Sequence, residues 1–328
     1  MKGLGTGLNN WRRIFPWLVA TLLTHLAMTQ QNDVLHTPQD RFGTLAEYPF
    51  APHYVSITPS LRMHYLDEGR ADAPVVLLVH GEPTWSFYYR RMIPSLVEQG
   101  YRVVVPDLIG FGKSDKPTAA TMHTYARHTA WLTTFMEQLG LTDVCLYGHD
   151  WGGMIALRIV ADQPAWFAGV VVSYAFLFTG EESVPNSFRD WQHFSQTDPA
   201  FRAGTVVNLG SYTELPDAVR AAYDAPFPDE TYKAGIRRFP MLIPTDPDDP
   251  EAQTNARLRE KLKTFDKPFL TVWGDHADAM WQGKDTVLQA EVPRAQGQPH
   301  RVLSAGHFLQ EDQPEVITEI IINFLTRR

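Results

Sequence analysis

Cysteine is almost absent from this chain: Cys145 stands alone among 328 residues, which excludes an internal disulfide framework. The histidines form no cluster with it at zinc-ligand spacing, so neither a metal nor a redox cofactor is expected. Cys145 itself lies in the apolar run Val144-Cys145-Leu146-Tyr147 and reads as core packing. Long runs of like charge are also missing. Against 29 basic residues stand 37 acidic ones, and the net charge of −8 is spread out, leaving no basic stripe for nucleic acid. A small neutral substrate fits this balance better. Internal repeats and low-complexity linkers are lacking too, which favours one core domain with an insertion over two independent domains.

No apolar run is long enough to span a bilayer comfortably. Ile14 to Met28 comes nearest and follows Arg12-Arg13, which gives it a signal-peptide look of twin-arginine flavour. At about 15 residues it is short for a span; Pro16 and His25 interrupt it, and no A-x-A cleavage site follows. Met28 would also serve as a start. Residues 1–32 are therefore read as an N-terminal extension, either a signal-like segment or a misassigned start. The expected location is cytoplasmic, with the periplasm as the alternative if the extension acts as a signal.

What the chain does have is 44% hydrophobic residues, enough for a large core. From Tyr54 onward, short β-rich runs alternate with helical ones, the pattern of a mostly parallel sheet flanked by helices. His53–Ile57 and Arg62–Asp67 open as a strand pair. Val75–His80, Arg102–Pro106, Val144–His149 and Gly169–Ser173 are continuous apolar runs, as strands buried on both faces should be. Tyr125, His128, Leu132, Phe135, Met136 and Leu139 share one face of a helix that Gly140 can end. The alternation breaks between about Phe178 and Ala256, a stretch dense in Pro, Asp and aromatic residues. It resumes with Phe269–Trp273 and Arg301–Leu303 and closes on an amphipathic helix from about Pro314 to Leu325. The expected division is a core of residues 33–178 and 257–328 with a helical cap over 179–256.

Three motifs carry chemistry. Gly148-His149-Asp150-Trp151-Gly152-Gly153 sits between a buried strand and a helix and has the G-x-Nuc-x-G form of the nucleophile elbow of α/β-hydrolases, with aspartate where esterases place serine. Taken alone, it could also be an ordinary Gly-bounded turn with a capping aspartate. His80-Gly81-Glu82-Pro83-Thr84-Trp85 follows the third strand, where this fold draws one backbone N–H of its oxyanion hole; the residue after the nucleophile supplies the other. Those donors would be Glu82 and Trp151. Ser304-Ala305-Gly306-His307-Phe308 follows the last strand and places His307 as the general base. An acid to hold His307 should follow Phe269–Trp273, where Asp275 and Asp278 are both available. Gly112-Lys113-Ser114 invites a phosphate-loop reading, but Asp107 stands where that motif needs glycine.

From about residue 34 onward the chain resembles haloalkane dehalogenases, of the branch whose triad acid follows the late strand. The resemblance rests on Leu61 to Gly69, His80 to Trp85, Pro106 to Pro117, His149 to Gly153, Tyr223 to Asp229 and Ser304 to Phe308. It implies an α/β-hydrolase fold, attack by the Asp150 carboxylate on a halogen-bearing carbon, no cofactor, and a halogenated alkane and water as the only partners of a monomer. The family spacing of Gly to acid would land on Ala277, one residue off; counting back from Asp285 selects Asp278 over Asp275. Trp151 and Trp191 match the family's two halide-binding indoles, and Phe188, Pro240, Ile243 and Trp281 match residues that line its substrate cavity.

Three rival readings share parts of this pattern. Epoxide hydrolases use the same elbow but need two cap tyrosines as acids; Tyr212, Tyr223 and Tyr232 fall in no recognisable pattern for that role. Fluoroacetate dehalogenases resemble the chain but place Arg where Trp151 stands. A catalytically silent α/β-hydrolase would not need the full set of Asp150, His307 and a late acid.

Overall fold

The computed structural model describes residues 33–43, 45, 47–276 and 278–327. The proposed extension, residues 1–32, lies outside them. Among the described residues ten strands run in chain order: β1 (Val34–Leu35), β2 (His53–Thr58), β3 (Leu61–Glu68), β4 (Val75–Val79), β5 (Arg102–Pro106), β6 (Lys116–Pro117), β7 (Val144–His149), β8 (Phe167–Ser173), β9 (Phe269–Gly274) and β10 (Arg301–Leu303). Eight of them form one sheet in the order β10-β9-β8-β7-β4-β5-β3-β2, and β1 pairs with β6 in a separate antiparallel ribbon. The ribbon is too short to leave a periodic mark in the sequence. The β2–β3 and β3–β5 pairs are antiparallel, and every other pair in the large sheet is parallel.

The strand identities follow from burial. Val76–Val79, Val103–Val105, Val144–Tyr147 and Val170–Val172 are all buried, because helices cover both faces of the sheet. β-Branched residues suit this position, since a stiff branched side chain fills the pleated surface with little rotamer freedom to lose. The helix foreseen near Tyr125 runs Tyr125–Gln138, with the Thr124 side chain accepting from the Arg127 N–H at its start. It ends before Gly140, whose φ of +60° a glycine adopts at little cost.

Between β8 and β9 the chain makes five α-helices: Asn186–Thr197, Ala203–Gly210, Asp217–Asp224, Ala234–Arg238 and Pro250–Leu262. The last packs on the helix Asp150–Asp162, where Arg158 bonds Asn255 Oδ1 at 2.8 Å and Glu251 Oε2 at 2.7 Å. The boundary expected at residue 256 thus falls inside a helix tied to the core. Among the described residues no helix is long and apolar enough to cross a membrane. Because β4, β7, β8, β9 and β10 are parallel, the loops after them gather at one edge of the sheet, the edge at which open α/β sheets bind ligands.

Candidate active site

Asp150 follows β7 directly and opens the helix Asp150–Asp162 with φ at +50°, a left-handed conformation that a residue with a side chain adopts only when its surroundings impose it. The neighbouring glycine shows what imposes it. A Cβ on Gly152 would sit 2.3 Å from the carbonyl oxygens of Val79 and His80, so only glycine lets the helix start lie against the end of β4. The turn presents a buried carboxyl, 7% exposed, to a cavity of about 460 Å³.

Three groups hold that carboxyl. The Glu82 backbone N–H donates to Oδ1 at 2.8 Å, in the position expected of an oxyanion donor. His307 Nε2 lies 3.7 Å from Oδ2. The backbone N–H of Trp151 acts on the same group. Burial alone would push the Asp150 pKa up, but His307 and these donors outweigh it, and the net shift is downward. Asp150 is therefore ionised at neutral pH, the state in which a carboxylate can attack carbon. Next to it, burial and then the charge of Asp150 push the Glu82 carboxyl well above the ordinary range, and its Oε1 has no hydrogen-bond partner among the described residues. Glu82 is also one of the residues that line the cavity.

His307 follows β10 and is fixed through its backbone. Its N–H donates to Gly210 O at 2.7 Å, and its carbonyl accepts from His149 Nε2 at 2.9 Å. Burial pushes His149 down to about 3, so this neighbour stays a neutral donor. The structure does not bring His307 to either acid. Nδ1 of His307 is buried without a hydrogen-bond partner among the described residues. Asp278 is exposed, and its Oδ1 accepts from the Met280 N–H at 3.0 Å, capping the short turn Ala279–Trp281. Asp275 Oδ1 accepts from the Ala305 N–H at 3.3 Å. Asp278 lines the cavity, whereas Asp275 is not part of its wall.

Trp151 lines the cavity and is held edge-on by Tyr125 and Phe239, with ring centroids 5.0 and 4.9 Å away. Its indole N–H has no hydrogen-bond partner among the described residues. Trp191 lines the same cavity from the helix Asn186–Thr197 and rests on Phe194 and Phe201. Phe188, Pro240, Ile243 and Trp281 all lie on the wall. Two residues that sequence reasoning passed over also bear on the site. Glu82 was singled out for its backbone alone, although its carboxyl is buried and unpartnered at Oε1 among the described residues. Tyr174, directly after β8, stacks on His307.

Residues 74–314 match the family model of the alpha/beta hydrolase fold. A haloalkane dehalogenase of Psychrobacter cryohalolentis is 46% identical over 297 residues, 89% of this chain and 98% of the relative. Haloalkane dehalogenase 1 of Mycobacterium tuberculosis is 48% identical over 296 residues, again 89% of this chain and 98% of the relative. Among solved structures, the tetrameric haloalkane dehalogenase DpaA of Paraglaciecola agarilytica superposes with a TM-score of 0.82 at 33% identity, covering 90% of this chain and 98% of the other. With near-half identity along almost the whole of its relatives and an ionised aspartate turned into an apolar cavity, this chain belongs to the haloalkane dehalogenases of the α/β-hydrolase fold.

Proposed function

We propose that this dehalogenase works through a covalent alkyl ester on Asp150. One Asp150 oxygen attacks the carbon in line with the carbon–halogen bond; the new C–O bond forms as the halide leaves with the bonding pair. Negative charge grows on the halogen in a site from which bulk water is largely excluded, so fixed donors there are worth more than in water. The indole N–H groups of Trp151 and Trp191 are the donors in this reading. In the second half, His307 Nε2 takes a proton from water, and the hydroxide adds to the Asp150 carbonyl carbon. The N–H groups of Glu82 and Trp151 receive the resulting oxyanion, an effect of about 3–4 kcal/mol for one such donor. As the intermediate collapses, the departing alkoxide takes the proton from His307 and leaves as the alcohol; Asp150, now carrying one oxygen from water, loses its remaining proton to solvent and regains its carboxylate.

The observation that carries this reading is the ionised Asp150 carboxyl, gripped by the Glu82 N–H on one oxygen and facing His307 with the other. For the acid, the reading keeps Asp278, supported by its place on the cavity wall. Residues 179–256 act as the cap, since Phe188, Trp191, Pro240 and Ile243 come from them, and the helix Pro250–Leu262 joins them to the core. This reading keeps the expected monomer and the expected cytoplasmic location.

Incubation with 1-bromobutane or 1,2-dibromoethane is expected to release bromide and acidify a weak buffer. His307→Phe is expected to stop after the first half and to gain the mass of the alkyl group on Asp150 by intact-protein mass spectrometry. An inactive halide panel with epoxide turnover instead would return the epoxide hydrolase reading, and His307→Phe without an adduct would remove the ester.

A further inference from the structure

Tyr174 leaves β8 with φ at +48° and is completely buried. Its ring lies nearly parallel to the His307 imidazole, with centroids 4.7 Å apart and planes inclined by 21°. Its hydroxyl accepts from the Gly274 N–H at 2.8 Å and lies 3.1 Å from Gly306 O and 3.3 Å from Gly274 O. Gly274 ends β9, just before the two candidate acids, and Gly306 immediately precedes His307. A Cβ on Gly274 would approach the Tyr174 hydroxyl to 2.6 Å, so the glycine makes room for the contact. One side chain therefore grips the imidazole with its face and two loops with its tip.

The grip matters because the other expected support is open. With Nδ1 of His307 unpartnered among the described residues, no carboxylate holds that side of the ring; Tyr174 is the ring that lies against its face, at 4.7 Å, while His149 and Phe308 meet it edge-on at 5.0 Å each and Trp281 stands at 6.0 Å. A phenol face also suits the cation that forms when the base takes its proton, because the ring quadrupole attracts positive charge.

We propose that Tyr174 is the positioning residue of His307, holding the imidazole so that hydrolysis of the alkyl ester, and not its formation, depends on it. This rests on the reading of His307 as the base. Rapid-quench measurements with 1-bromobutane separate the two halves: the burst of bromide reports ester formation, and decay of the alkylated protein reports hydrolysis. Tyr174→Leu, which removes ring and hydroxyl, is expected to slow ester decay by about a hundredfold while leaving the burst within about twofold of wild type. Tyr174→Phe, which restores the ring, is expected to recover part of that loss. Equal slowing of both halves in these variants, or wild-type decay in both, overturns the proposal. Where Tyr174→Leu fails to fold, Tyr174→Phe decides by the same readout: selective slowing of decay supports the role, and unchanged decay removes it. His307→Phe run alongside keeps the two ideas apart. Ester accumulation there with wild-type decay in the Tyr174 variants sinks only the positioning role, whereas no ester in His307→Phe sinks the base itself.

Discussion

The two walls of the cavity are built on different principles. On the core wall the backbone decides. Asp150 is locked at a positive φ, a Cβ on Gly81 would lie 2.3 Å from its Oδ1, and a Cβ on Gly152 would run into the end of β4. On the facing wall side chains decide. Trp191 is only half-buried on a helix whose one fully buried residue is Ser195, and Asp278 stands exposed at the head of a short turn. Chemistry that tolerates little displacement of the reacting atoms is placed where chain geometry leaves no freedom. On the facing wall the geometry rests on side-chain packing instead of on the backbone path.

The sharpest way to break this comparison lies in the acid loop. If Asp278 serves His307 in the working enzyme, Asp278→Asn is expected to lower kcat for 1-bromobutane by about a hundredfold through ester hydrolysis, with Asp275→Asn within about twofold of wild type. Steady-state bromide release with both variants checks it. The reverse order would assign the acid to Asp275, and two near-wild-type variants would mean that His307 works without a carboxylate, leaving Tyr174 as its main support.

The same contrast explains what the sequence could tell. Close backbone approaches leave glycines behind, so Gly148, Gly152 and Gly153 marked the elbow, and buried parallel strands leave unbroken apolar runs. Gly140 marked a helix end for a different reason, its left-handed φ of +60°. Side-chain meetings across loops leave no such trace. The order Gly274 to Asp278 is one residue longer than the family spacing, and whether its carboxyl reaches His307 or caps Ala279–Trp281 depends on a loop path that spacing does not encode. Tyr174 reads as one more core aromatic after a valine run, and only its place at the ligand-binding edge of the sheet hints at more. The upward shift of the Glu82 carboxyl follows from burial, which becomes visible only once the chain is folded.

A second test compares the two indoles directly. Trp151 is clamped between Tyr125 and Phe239, whereas Trp191 rests on the half-buried Phe194 and on Phe201. Replacement by Phe keeps the packing and removes the N–H in each case. Trp151→Phe is expected to lower kcat/KM for 1-bromobutane by about tenfold or more, and Trp191→Phe by a smaller factor, because the better-fixed donor loses less to reorganisation. Bromide binding followed by tryptophan fluorescence should weaken in the same order. A larger loss at Trp191 would show that its helix is held as firmly as the core.

The smallest effect concerns how the facing wall is pinned. Tyr223, at the end of the helix Asp217–Asp224, gives its hydroxyl to Glu311, which also takes a bidentate bond from Arg90 at 2.6 and 3.0 Å. One residue earlier, Ala222 O accepts from the Trp85 indole at 3.2 Å, so the end of the helix Asp217–Asp224 is bound to the loop after β4 and to the helix that follows His307. All three members of the Tyr223 cluster are buried. Tyr223→Phe removes one neutral donor and leaves the buried ion pair whole, so the expected loss is about 1–2 kcal/mol, far below the about 3–5 kcal/mol of breaking such a pair. In a chain of this size that is a fall in Tm of about 2–4 °C, readable by calorimetry, with kcat for 1-bromobutane within about twofold of wild type. An unchanged Tm with altered preference among haloalkane chain lengths would mean that the bond sets the cap's position and not its stability. The facing wall would then be as strictly placed as the wall that carries Asp150.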